Sequence, residues 1–395
     1  MIIKTGIGLG YGIHSKLSGN LNFGELLKSY INVGRGFASI SSDGQYISSV
    51  EGKIIVCKEN KLTDLNLNIN NAYADVSISP EGKYFAIVVG HEVVFFSRES
   101  GELWHQELDA KIKCEGGLSR NGEHVQSLSN CVKIESNHIS VSSNGEYIAV
   151  ADCMSNIYLF NKNGKLVWRV DSDQEEYAKG TSGAVAISPD GLFIATYQSS
   201  SYDVRGDIYP KLHKIQLLDN TGEIVWEHGT NISDNKSGRS FEFTSISISS
   251  NGKFVVIGEK LDCSNHDEGC VVLFNSDGDI LWTYVTKGFV YGVSISSDGQ
   301  YIAMHTEDEI SLLDYQGHMI WTCCTHDIRD KYAPRNHVTS VSISADGSYV
   351  VASTWDGTVH VFKNHINGVS KMSTWGPEIS TSSSLPFDPN ESIRL

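Results

Sequence analysis

The sequence predicts an all-β fold in which four-stranded sheets repeat around an axis, and three observations predict it. An apolar run ending in a short Ser-x-acid/amide-Gly turn recurs along 395 residues, with turn glycines at Gly44, Gly82, Gly122, Gly145, Gly191, Gly252, Gly299 and Gly347. A second phrase, Gly followed by apolar residues and Trp, ends at Trp104, Trp168, Trp226, Trp282 and Trp321. No long stretch carries helical periodicity, whereas apolar and small polar residues alternate with the period of a half-buried strand. A repeat of this length decides the architecture before any local motif does.

The elements follow in order. Residues 1–23 read as an arm, 24–364 as one propeller and 365–395 as a polar tail. Each unit reads strand, turn, strand, loop, strand, turn, strand, as residues 293–321 show. Val293-Ser294-Ile295-Ser296 is a first strand, and Ser297-Asp298-Gly299 a tight turn in which Gly supplies φ > 0. Tyr301 to Met304 is the second strand and Ile310 to Leu313 the third. Tyr315-Gln316-Gly317 turns the chain into a fourth strand that carries Trp321. A Trp at one fixed place per unit reads as packing between neighbouring sheets.

The turn glycines lie 38, 40, 23, 46, 61, 47 and 48 residues apart. A blade of this kind usually takes ~40–45 residues. The interval of 23 leaves Cys114 to Glu135 without a fourth strand. The expectation is therefore a single β-propeller of four-stranded blades, eight with an abridged third; seven is the alternative. Gly24 to Tyr30 aligns with Gly278 to Tyr284, so the N-terminal segment reads as a fourth strand that completes the last blade beside residues 358–362. Residues 369–375 are its rival for that slot. Closure of this kind removes a free sheet edge.

The phrase Val-Ser-Ile-Ser-x-Asp-Gly-x-Tyr-Ile-Ala resembles WD40-type repeats, and the Gly-to-Trp phrase is similar to the repeat of quinoprotein-like (PQQ-type) propellers. The resemblance runs from about Gly24 to Phe362. It implies a propeller and is nearly silent on activity, since propellers host enzymes, ligand binders and scaffolds. One departure is that Trp355-Asp356 falls in a loop before its third strand instead of closing that strand.

Composition narrows the function. A net charge of −16 argues against nonspecific nucleic-acid binding, which needs basic patches. No apolar run is long enough for a transmembrane helix, and Met1 to Gly6 lacks the pattern of a secretory signal. Eight cysteines lie scattered without a disulfide framework. A cytoplasmic location is expected. Gly6 to Gly12 is rich in glycine but lacks the strand and helix that a dinucleotide fingerprint requires.

Long insertions fall in the loops between second and third strands and in the links between units, all on one face and in the second half of the ring. They cover residues 172–183, 198–212, 229–243, 259–269 and 325–337. Tyr202, Arg205, Asp207, His228, Arg239, His326, Arg329, Tyr332, Arg335 and His337 form the expected binding face, because Arg and Tyr anchor protein interfaces. Cys263, His266 and Cys270 have metal-like spacing, but zinc needs a further ligand, and a Cys263–Cys270 disulfide or no special chemistry are alternatives. Asn275 to Asp279 looks calcium-friendly, although a hairpin turn is the simpler reading. The adjacent Cys323-Cys324 pair resembles one beside the cofactor of some quinoprotein-like dehydrogenases, on two residues only. The leading expectation is a non-catalytic scaffold for a protein or peptide, without cofactor, whose tails join subunits. The alternative is a metal-assisted lyase or hydrolase, or a small-ligand binder, at the axial mouth, with His213, His228, His266, His326 and His337 as the residues to test.

Overall fold

The computed structural model describes residues 25–30, 38–64, 74–108, 139–171, 181–232, 240–324 and 337–364, less residues 45, 51–53, 59–60, 90–91, 153–154, 201–202, 205–206, 209–210, 264–265 and 356. The chain is an all-β propeller with blades of four antiparallel strands. The sheets span 38–64, 74–107, 139–170, 181–232, 240–286 and 292–324, each with its strands in chain order. A further sheet is ordered Glu25–Tyr30, Val359–Lys363, Tyr349–Thr354, Val338–Ile343. Here Glu25 lies opposite Lys363 and Tyr30 opposite Val359.

The repeated phrase is a hydrogen-bonded device. In the 292–324 sheet, Ser296 Oγ donates to Asp298 Oδ1 at 2.6 Å and accepts the Tyr301 N–H at 3.0 Å. Ser41, Ser188 and Ser344 repeat both bonds. The turn Gly takes φ of +63 to +73 in six of these turns, among them Gly145 (+63) and Gly299 (+73). It must also be small. A Cβ on Gly145 would stand 2.8 Å from the Tyr84 ring of the preceding sheet, and one on Gly252 2.8 Å from Phe193. The same contact joins Gly82 to Tyr46 and Gly347 to Tyr301, and joins Gly44 of the first sheet to Tyr349 of the last.

The core lies between sheets. One cluster joins Tyr84, Val93 and Phe95 to Ile139, Val141 and Ile148; another joins Tyr197 and Leu217 to Val255, Ile257 and Phe274. A smaller one joins Val351, Val359 and Val361 to Ala38, Ile40 and Ile47. Burying each such side chain stabilises by about 1.5–3 kcal/mol. The fourth-strand Trp latches neighbours together. Trp104, Trp168 and Trp282 donate Nε1–H to the carbonyls of Lys162, Asn220 and Tyr315 in the next sheet, at 3.0, 3.1 and 2.9 Å. Trp321 donates to Asn364 Oδ1 at 2.9 Å.

Two expectations change. An abridged blade was expected between the 74–107 and 139–170 sheets. These two are instead direct neighbours, through their shared core, the Trp104 latch and the Ile139 N–H to Asp75 Oδ2 bond at 3.3 Å. The segment Cys114 to Glu135 itself lies outside the described residues, as do 1–24 and 365–395, including the rival strand 369–375. Much of the long insertions is also strand, not loop. Ile224–Ile232, Ser240–Ile248, Phe254–Cys263 and His266–Asn275 continue the ladder through positions read as loop, because alternation persists there, as in Phe241-Glu242-Phe243.

Candidate functional site

In a four-stranded meander, the first-to-second and third-to-fourth turns share one end, and the second-to-third loops and blade links share the other. That second end is the loop face. Two adjacent sheets extend towards it. Strands in the 181–232 and 240–286 sheets reach nine and ten residues, against four to six in the 292–324 and 338–363 sheets. The extension includes the small hairpin Asp203–Val204 with Asp207–Ile208, where Asp207 pairs with Val204.

Beside this wall, three segments meet. Val338 N–H donates to Glu307 O, and Trp355 N–H to His337 O, both at 3.0 Å. These bonds hold the loop at 306–308, the end of the last blade link and the loop at 355 in one patch. His337 Nδ1 lies 3.0 Å from Glu307 Oε1 and 3.8 Å from Asp308 Oδ1. Its ring meets Trp355 edge-on at 4.9 Å between centroids, while Trp355 is 61% exposed. The backbone bond fixes the chain at Trp355 and the His337 ring contact orients its indole, so part of the entropy of ordering this exposed side chain is already lost.

Two buried titratable groups lie in the neighbouring sheets, His305 next to the loop at 306–308 and Glu259 in the 240–286 sheet. Burial raises the Glu259 carboxyl to about 7, and Cys270 donates its thiol to Glu259 Oε2 at 3.0 Å. Burial lowers His305 to about 4, and its Nδ1 lies 3.0 Å from Thr306 O. Lys260 sits over the Tyr291 ring at 4.8 Å, and Tyr291 stacks on His305.

Of the expected binding residues, His337 lies in this patch. His228 does not: its Nε2 contacts Gly278 O at 2.6 Å, at the opposite, turn end of the next sheet. Asp207 is placed by its backbone only. Tyr202, Arg205, Arg239, His326, Arg329, Tyr332 and Arg335 lie outside the described residues. The structure does not bring Cys263, His266 and Cys270 together. Cys263 pairs with His266 at the hairpin end, whereas Cys270 pairs with Glu259, four positions further along. That is about 13 Å of strand, beyond the ~4.4–6.8 Å between Cα atoms that a disulfide spans. Among the described residues no three His, Cys, Asp or Glu side chains are grouped to hold a metal ion.

The calcium-like sequence is a turn. Asn275 Oδ1 accepts the N–H groups of Asp277 and Asp279 at 3.0 and 2.8 Å, and Asp219 and Asp314 do the same in their sheets. Burial pushes the Cys323 thiol up to about 11 and also raises Cys324, whose thiol faces Glu309 Oε1 at 3.6 Å. Neither is an activated thiolate.

Comparison with known proteins fits this geometry. Residues 323–363 match the family described as WD domain, G-beta repeat. The chain is a WD40-like β-propeller repeat protein. This propeller resembles the solved structure of Kuenenia stuttgartiensis hydrazine synthase, with a TM-score of 0.58 at 14% identity, over 91% of this chain and 100% of that one. At that identity the likeness concerns the fold. No curated protein matches the propeller. Among the described residues no helix is long and apolar enough to cross a membrane.

Sequence reasoning missed Glu307, Asp308, Glu259 and His305. Glu307 and Asp308 carried a signal, an acidic pair in a short second-to-third loop. Trp355 had been noted only as a departure from the repeat. Nothing local marks Glu259, because its burial comes from the neighbouring sheet.

Proposed function

We propose that this propeller is a non-catalytic scaffold that holds a protein or peptide on the loop face of its second half. The observation that carries the reading is the fixed, 61% exposed Trp355 beside His337 and Glu307, next to two sheets whose strands extend to the same face. Tyr202, Arg205, Asp207, Arg239, His326, Arg329, Tyr332 and Arg335 complete the face in this reading. WD40-type repeats are commonly interaction modules, which supports the class of function but no particular partner.

The platform in this reading is a closed ring of seven blades, the last completed by the N-terminal strand. Support comes from the direct packing of the 74–107 on the 139–170 sheet and of the last sheet on the first, with Ala38 N–H donating to Ser340 Oγ at 2.8 Å.

Photo-crosslinking tests the face. A benzophenone side chain at position 355 is compared with one at position 285, an exposed outer-strand position. Position 355 is expected to give a discrete protein adduct that disappears when residues 325–336 are replaced by a Gly-Ser linker. Adducts at 285 alone, or at 355 irrespective of the linker, reject the loop face.

A further inference from the structure

On the opposite, turn face, a cavity of ≈ 390 Å³ opens between the 74–107 and 139–170 sheets. Small-ligand sites occupy roughly 300–1,000 Å³. Two ammonium groups lie near its Tyr84 wall: Lys162 Nζ lies 4.8 Å and Lys83 Nζ 5.5 Å from the ring centroid. Lys162 Nζ also donates to Asn144 O at 3.1 Å and to Glu146 Oε1 at 3.2 Å, a carboxylate that is 58% exposed, which leaves one of its three N–H groups for a ligand. Lys83 makes no ion pair among the described residues. The remaining wall is mixed: half-buried Trp104 and Leu103 at 40% exposure are its apolar part, Ser97, Ser100 and Asn163 its neutral polar part, and exposed Glu99 adds one carboxylate at the rim.

The repeat supplies an internal control. Lys83 stands just before the ring residue of its turn, and Lys162 follows the third strand of the next sheet. At other interfaces the corresponding pair is Glu146 with Asn220, Leu192 with Ser276, and Lys253 with Tyr315. None carries two cations, although each contact recurs singly, with Arg98 over the Tyr46 ring at 4.3 Å and Lys253 over the Phe254 ring at 4.8 Å, so blade packing uses one cation and does not require the pair. Glu146 offsets part of the Lys162 charge, whereas Lys83 brings a second cation to the same ring with no ion pair among the described residues, so an added anion there relieves repulsion.

We propose that this cavity binds a small organic carboxylate with an apolar body. The carboxylate accepts hydrogen bonds from Lys83 and Lys162, and the apolar part lies on Trp104 and Leu103. The site is separate from the loop face and does not depend on its role.

The test is calorimetric titration of the full chain with N-acetyl-L-phenylalanine, N-acetyl-L-phenylalaninamide and inorganic phosphate. The acid is expected to bind, the neutral amide about tenfold more weakly, and K83Q to weaken the acid about tenfold, the size of one charge-assisted hydrogen bond. K83Q removes no ion pair, and an unchanged thermal melt verifies its fold. K162Q is expected to act in the same direction. No binding of the acid, equal binding of the amide, or undiminished binding by folded K83Q overturns the proposal. Phosphate binding as tightly as the acid overturns its apolar half.

Discussion

Trp168 and Trp226 hold equivalent places in adjacent sheets and differ in one bond. The Trp168 indole donates to Asn220 O at 3.1 Å, while the buried Trp226 Nε1–H has no partner among the described residues and His228 reaches that turn instead. Replacement by Phe keeps most of the packing and removes the donor. Trp168→Phe is expected to cost about 1 kcal/mol more than Trp226→Phe, measured by urea unfolding; equal costs would show that the latch is packing alone. Two buried groups give a pH signature. Glu259 rises from 4.5 to about 7 on folding, so the folded state binds the extra proton and stability falls as pH rises between those values. His305 drops from 6.5 to about 4, so the unfolded state binds the extra proton and stability rises over that window. Each is worth roughly 3 kcal/mol at the limit, and they oppose each other between pH 4.5 and 6.5. Glu259→Gln is expected to leave a net rise in melting temperature with pH, and His305→Gln a net fall; parallel profiles would refute both. The sequence announced the Trp repeat and the turn Ser and Gly, because one role recurs in every unit. It could not announce Glu259 or His305, whose environments are made by strands far away in sequence.

Strand order and turn positions were legible for the same reason: a hairpin is local, and alternation with an Asx-Gly turn specifies it. Insertions were legible by place and misread by form. A second-to-third hairpin lengthened in register looks like a loop once its residues turn polar, yet backbone pairing continues through Lys260–Gly269 and Asp262–Asp267. The third unit, 114–135, lies outside the described residues, and a turn phrase alone does not make a blade, which needs a neighbour on each side. Here the flanking sheets already bury their faces against each other. Removing residues 114–135 leaves eight residues between Leu108 and Ile139 outside the strands' core, within the range of the other blade links. That deletion is expected to fold with a melting temperature within a few degrees of the full chain, since loop shortening changes closure entropy by only about 0.6 kcal/mol per halving. Failure to fold would restore the segment as a structural blade.

At the scale of the whole molecule, the first and last described strands meet in one sheet. The strand Glu25–Tyr30 pairs with Val359–Lys363, so the last sheet takes one strand from one end of the described chain and three from the other. Independently of that strand, the first and last sheets touch through Ala38 and Ser340 and through Gly44 and Tyr349. In the proposed seven-bladed ring, the inner contacts join the first and last sheets while the outer strand covers an edge. This separation makes the contribution of closure measurable. Removing residues 1–24 leaves Glu25–Tyr30 in place and is expected to leave the melting temperature unchanged. Removing residues 1–30 uncovers the Val359–Lys363 edge, a template for intermolecular pairing. That longer truncation is expected to lower the melting temperature by several degrees, about 4 °C or less per kcal/mol in a chain of this size, and to associate in a concentration-dependent way on sizing columns. Identical melts and a strictly monomer-like profile for both truncations would mean that the N-terminal strand does not close the ring.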